Sequence, residues 1–315
     1  MTYTIAKYQR KNGHESKVIR IKGPDKYHID EFYKNYGLFV TPDELVCKSV
    51  AEAQKADVIH IHSVAKMAIN IRKIYGKSKI IILHYHGTDI RGFGKEKMND
   101  CYLQSNLTPK KFLRKMLLKR MHIKAQRSAD RVIVATPDLI NLVKGSVLLH
   151  NPVDKEHFNQ KSNRSSINGR AVLINTEVTD VEMAIDYYRR KGLDLNIQIY
   201  DRTKNPISYK DFPKFLKSYD IYVDLRFVNN RLLRNLSTTA LQALACGLRV
   251  LNYNLEYIDK LPAEHDPMNV TSRLSSIYSQ KRNRLEVAIL VLEQFPLDIV
   301  YVLYSLLKKM SFKKT

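Results

Sequence analysis

Acidic residues are scarce in this 315-residue chain: 31 Asp and Glu stand against 53 Lys and Arg, a formal net charge of +22. The shortage rules out a surface that repels anions, so nucleotides, nucleic acid or an anionic membrane are the partners its field attracts. Cysteine is nearly missing. Cys47, Cys101 and Cys246 are unevenly spaced, which argues against a disulfide framework or a zinc knuckle and for a reducing compartment. No N-terminal stretch has a signal-peptide profile. No long uninterrupted apolar run occurs either. The longest, residues 287–307, is broken by Glu293, Gln294, Pro296 and Asp298 and reads as packed helices. These absences predict a cytoplasmic protein. Repeats of fixed period are also absent.

What is present is a regular alternation. Runs rich in Ile and Val at 17–21, 57–62, 79–84 and 131–135 are separated by helix-length amphipathic segments at 43–55, 64–75, 109–129 and 137–143. A polar stretch, NQKSNRSSINGR, follows Asn151-Pro152-Val153-Asp154 and reads as a linker or long surface loop. A second series then runs through strands at 171–175, 195–200, 220–225 and 248–252, with helices at 178–191, 211–217, 237–246 and from Met268 onward. Such alternation predicts α/β architecture with parallel sheets covered on both faces, and the length predicts two domains. Ligands in such folds bind beyond the carboxyl ends of the strands. Residues 110–124 (KKFLRKMLLKRMHIK) form an amphipathic basic helix, read either as a membrane-surface element or as the solvated face of a packed helix.

The segment 219–250, YDIYVDLRFVNNRLLRNLSTTALQALACGLRV, places Arg226, Arg231 and Arg234 just before a helix that begins at Ser237, Thr238 and Thr239. Free N–H groups at a helix start beside cations make a diphosphate site; the bland alternative is a Ser N-cap on a core helix. Tyr209, Phe212 and Phe215 precede the strand at 220–225 and read as core aromatics rather than a base-stacking platform. His60, His62 and His84 alternate on strand edges without a carboxylate or cysteine cluster, so they read as structural, and no metal is expected.

In order along the chain stand His84-Tyr85-His86-Gly87-Thr88-Asp89, then ADRVIVATPDL, then NPVDKEHF, then the ALQALACGLRV helix. This series resembles the retaining family 4 glycosyltransferases. The resemblance implies the GT-B fold, two Rossmann-like domains with parallel sheets facing a central cleft: an acceptor-side domain at 1–150, a nucleotide-sugar-binding domain at 151–285, and terminal helices at 286–315 crossing back to the first. It also implies transfer of a hexose from a nucleotide diphosphate sugar to a lipid-linked or protein-linked glycan acceptor, with no cofactor. His86 and Asp89 fall near the reacting centre, and Arg226, Arg231, Arg234, Ser237, Thr238, Thr239 and Gln242 fall at the donor. Peripheral contact with the inner membrane face is a further expectation. Nucleic acid is not expected as a partner, because no recognised binding module or aromatic-basic platform occurs.

Three departures mark the chain. Arg234 and Gln242 stand where the family carries two glutamates. The stretch from Ile174 to Asp180 lacks the family's phosphate-gripping Arg and Lys. The N-terminal residues read as the family's first helix and second strand, without the usual first strand and glycine-rich loop. They support a rival expectation, a GT-B-like protein that binds a nucleotide, glycan or partner without turnover.

Overall fold

A computed structural model describes residues 1–87, 89–90, 109–159, 169–175, 180–193, 195–228, 231–280 and 284–311. Residues 160–168 of the expected linker, Thr88 and residues 176–179 lie outside them, as does the side chain of Arg231. The chain divides into two units, Met1–Pro42 with Asn151–Ser272, and Asp43–His150 with Arg273–Thr315. This differs from the expected 1–150 domain, because the first 42 residues group with the second half.

Those residues form α1 (Thr2–Lys11), β1 (Val18–Ile21), α2 (Ile29–Phe32) and β2 (Gly37–Val40), with β1 and β2 paired in parallel. The reason for the regrouping is an aromatic and ionic anchor. Tyr3 stacks on Tyr33 at 5.2 Å, and both share a buried cluster with Val153, Phe158, Tyr209, Phe212 and Leu216. The buried Asp154 carboxylate accepts from Lys7 Nζ at 2.7 and 2.8 Å and from the Tyr33 hydroxyl at 2.7 Å.

The other unit begins with α3 (Glu44–Lys55), β3 (Val58–His62), α4 (Ala65–Tyr75), β4 (Ile80–Tyr85), α5 (Pro109–Ser128), β5 (Arg131–Val134) and β6 (Val147–Leu148). Its sheet has the order β3-β4-β5-β6, all parallel. Ile81, Ile82, Leu83 and Tyr85 are fully buried, as expected for a central parallel strand with both faces covered. The helix expected at 137–143 is only a 3₁₀ turn, Pro137–Leu139. Proline suits the first helical position, but Leu142 and Val143 follow as turns that still pack in the core.

After Asn151 come β7 (Ala171–Asn175), α6 (Val181–Arg190), β8 (Ile197–Asp201), α7 (Phe212–Lys217), β9 (Ile221–Val223), the hairpin of β10 (Phe227–Val228) and β11 (Arg231–Leu232), α8 (Thr238–Ala245), β12 (Arg249–Leu251), β13 (Tyr257–Ile258) and α9 (Pro267–Ser279). The main sheet runs β13-β12-β9-β7-β8, parallel except for the edge strand β13. Asp180 caps α6 by accepting from Met183 N at 3.0 Å.

The last helix, α10 (Arg284–Ser311), packs on α5 within one unit. Leu290 and Leu297 bury against Ile123 and Met116, and Arg120 Nε donates to Asp298 Oδ1 at 2.5 Å. Among the described residues, no helix is long and apolar enough to cross a membrane.

Candidate functional site

Two sets of candidate residues emerge, one on each unit. The first is at the carboxyl ends of β3 and β4. Parallel register pairs His62 with His84, and the alternation of side chains along a strand puts His60 on the face of His62 and His86 on the face of His84. Four imidazoles therefore gather in one column. His60 stacks on His62 at 4.2 Å and on His84 at 5.2 Å, and His84 on His86 at 4.5 Å. Ring nitrogens meet at 3.1 Å between His60 Nε2 and His84 Nδ1, and at 2.9 Å between His62 Nδ1 and His86 Nε2. Burial lowers the pKa of His60 to about 3 and that of His86 to about 4, and holds His62 and His84 well below the ordinary value, so all four rings are neutral at pH 7.

The chain turns sharply after this column. Gly87 has φ +115°, a conformation glycine tolerates and a Cβ opposes. Asp89 closes the turn: its carboxylate accepts from His86 N at 3.1 Å and from Gly87 N at 2.8 Å. The Asp89 oxygens thus face backbone, and the visible role of this carboxylate is to hold the His86 loop. His86 Nε2 is engaged by His62, while its Nδ1 has no partner among the described residues.

The second set lies at the start of α8. Asp224, which follows β9 and is buried, accepts from Ser237 N at 2.8 Å and from Arg226 Nε at 3.0 Å. Arg226 Nη2 donates as well to the Asn235 carbonyl. The Ser237 hydroxyl accepts from Ala240 N at 2.9 Å, a side-chain N-cap. Of the N–H groups at this helix start, those of Thr238 and Thr239 have no acceptor among the described residues. Thr238 and Arg234 are exposed; Thr239 and Gln242 are half-buried. The backbone of Arg231 lies in β11.

The structure thus brings Arg226, Ser237, Thr238 and Thr239 to one helix end, but it commits Arg226 and the Ser237 hydroxyl to internal contacts. His86 and Asp89 adjoin each other on the other unit. Tyr209 and Phe212 are buried in the core, with Phe215 packed beside them. Sequence reasoning missed Asp224. An acid two residues before Arg226 and thirteen before a Ser N-cap was the available signal. It also missed the convergence of the histidines, because spacing within a strand does not reveal which strand pairs with which.

The Glycosyltransferase Family 4 model matches residues 1–157. No curated protein matches the chain. Among 22 matching solved chains is "Spinosyn Rhamnosyltransferase SpnG complexed with thymidine diphosphate", 11% identical, with a TM-score of 0.35, covering 96% of this chain and 95% of that one. The chain is an α/β protein built on parallel sheets that, over residues 1–157, is similar to Glycosyltransferase Family 4.

Proposed function

We propose that the protein is a glycosyltransferase that moves a hexose from a nucleotide diphosphate sugar to a lipid-linked or protein-linked glycan, with retention of anomeric configuration. The family match over residues 1–157, which span the His86 loop, carries this reading. The start of α8 supplies the chemistry for the leaving diphosphate. The N–H groups of Thr238 and Thr239 and the exposed Arg234 guanidinium place positive charge where negative charge develops, and the Thr hydroxyls add donors. His86 Nδ1 then serves a sugar hydroxyl or phosphate oxygen. No covalent nucleophile is invoked, and the reading needs no cofactor. A rival without turnover is favoured by Arg234 and Gln242 in place of two acids, and by Asp224 at the helix mouth.

A thermal-shift screen over nucleoside diphosphates and their sugars tests the reading, since a ligand of the folded state alone raises Tm. One base should give a clear shift, and transfer from the matching sugar removes the rival; no shift with any of them overturns the reading. The three arginines should then separate. Arg234→Ala should weaken diphosphate binding about 10- to 100-fold, the scale of a lost hydrogen bond to a charged group. Arg231→Ala should weaken it as well. Arg226→Ala should instead lower Tm, because it strips Asp224 and Asn235 of a partner. Equal affinity in the Arg234 and Arg231 variants would remove both from the site.

We also assign the peripheral membrane surface to α10 rather than to α5 alone. Opposite the residues that pack on α5, Val291, Leu292, Phe295, Ile299 and Val302 are exposed, Leu292 by 74% and Phe295 by 68%. Soluble proteins rarely leave an apolar face of this kind in water, and such faces mark interaction surfaces. The occupant we commit to is an anionic bilayer, since α5 beside it exposes Arg114 and Lys119 and the chain carries +22. Sedimentation with phosphatidylglycerol vesicles should be lost in Leu292→Asp/Phe295→Asp and weakened by salt, with little binding to phosphatidylcholine alone. Wild-type protein that ignores anionic vesicles, or that buries this face in a stable dimer, refutes the assignment.

A further inference from the structure

We propose that His60, His62 and His84 form a binding site for a divalent transition-metal ion of the zinc type, with His86 bracing it from outside. This goes beyond the transferase reading and does not rest on it. One ring nitrogen from each of the three lies within 4.8 Å of the others, a convergence that β3–β4 pairing creates from two strands. The donor set is three imidazoles with no thiolate. Asp89, the nearby carboxylate, is turned onto the N–H groups of His86 and Gly87. A neutral three-histidine set suits Zn²⁺ with a fourth position for water.

An independent observation points the same way. His84 is fully buried, and its Nε2 has no hydrogen-bond partner among the described residues. Buried polar atoms in folded proteins are nearly always satisfied, so such an orphan asks for a ligand. A hydrogen-bonded histidine column accounts for the contacts at 3.1 and 2.9 Å, yet it leaves this nitrogen unexplained. Zinc–nitrogen bonds of about 2.0–2.1 Å at tetrahedral angles set ligand nitrogens about 3.3 Å apart. The three candidate ligand nitrogens lie within 4.8 Å of one another, so reaching that spacing asks for a rotation of the rings while His84 Nδ1 keeps its contact with His60. His62 Nδ1 would keep its contact with His86 Nε2, the kind of outer partner that fixes a ligand ring's orientation.

The test is direct. Full-length protein is freed of metal with a chelator and titrated with Zn²⁺ by calorimetry and with Co²⁺ by visible spectroscopy. One ion per chain with a submicromolar Kd, a Co²⁺ spectrum of tetrahedral intensity and a metal-dependent rise in Tm are expected. His60→Ala and His84→Ala should each weaken binding at least 100-fold and abolish the metal-dependent rise, while metal-free Tm reports whether the variant folds. If neither alanine variant folds, His60→Gln and the wild-type stoichiometry carry the test. Wild-type protein that binds no stoichiometric Zn²⁺ or Co²⁺, or folded variants that bind as wild type does, overturn the proposal. Either result leaves nucleotide binding at α8 to be judged by its own assay.

Discussion

Asp154→Ala is expected to lower the Tm of the unit formed by Met1–Pro42 and Asn151–Ser272 by about 6–20 °C. The carboxylate side chain is 0% exposed and holds the Lys7 ammonium, itself only 15% exposed, together with the Tyr33 hydroxyl. Deleting the acid strands a nearly buried cation and a buried phenol. Breaking such a pair costs about 3–5 kcal/mol, and about 2–4 °C follows each kcal/mol for a unit of this size. The loss should exceed that of Lys7→Ala, after which Tyr33 and Tyr8 still donate to the carboxylate. The double variant should cost less than the sum of the two, because the partners are in contact. Differential scanning calorimetry checks this; a Tm within about 2 °C of wild type would show that the anchor contributes nothing.

His86→Ala is expected to reduce transfer from the best donor by about 10²- to 10³-fold, the usual effect of deleting one donor to developing charge. The fall should appear in kcat rather than KM, and stability should also drop by about 1–3 kcal/mol, because His62 Nδ1 loses its partner in the column. Asp89 gives the complementary case. Asp89→Ala should impair the same step through the loop, because the His86 and Gly87 N–H groups lose their acceptor; Asp89→Asn, which keeps one oxygen, should recover part of the rate. A direct catalytic role for the Asp89 carboxylate would instead make the Asn variant as slow as the Ala variant. Transfer by His86→Ala within a factor of about three of wild type would remove His86 from the chemistry.

Much of the architecture was legible in the chain. Ile- and Val-rich runs at 57–62, 79–84 and 131–135 became β3, β4 and β5, and those at 171–175 and 248–252 became β7 and β12, because buried parallel strands select β-branched residues on both faces. The Ser237 cap and the turn at Gly87 were equally readable, since each depends on local backbone chemistry. Short elements were not. Gly37–Val40 is a strand because Val18–Ile21 lies beside it, and four residues carry too little pattern to announce a partner.

By itself, then, the sequence determined the order of the long strands and helices, the basic field, and the loops that carry the candidate residues. These follow from periodicity, charge and turn-forming residues within reach of one another. Tertiary structure alone decided that Lys7 and Tyr33 meet Asp154, that Arg226 answers Asp224, and that three histidines of β3 and β4 stack in one column with His86 of the following loop. Each of these joins residues that are unremarkable in their own segments. The Coulomb and hydrogen-bond energies involved exist only once strand pairing and core packing have removed the groups from water and fixed their distances.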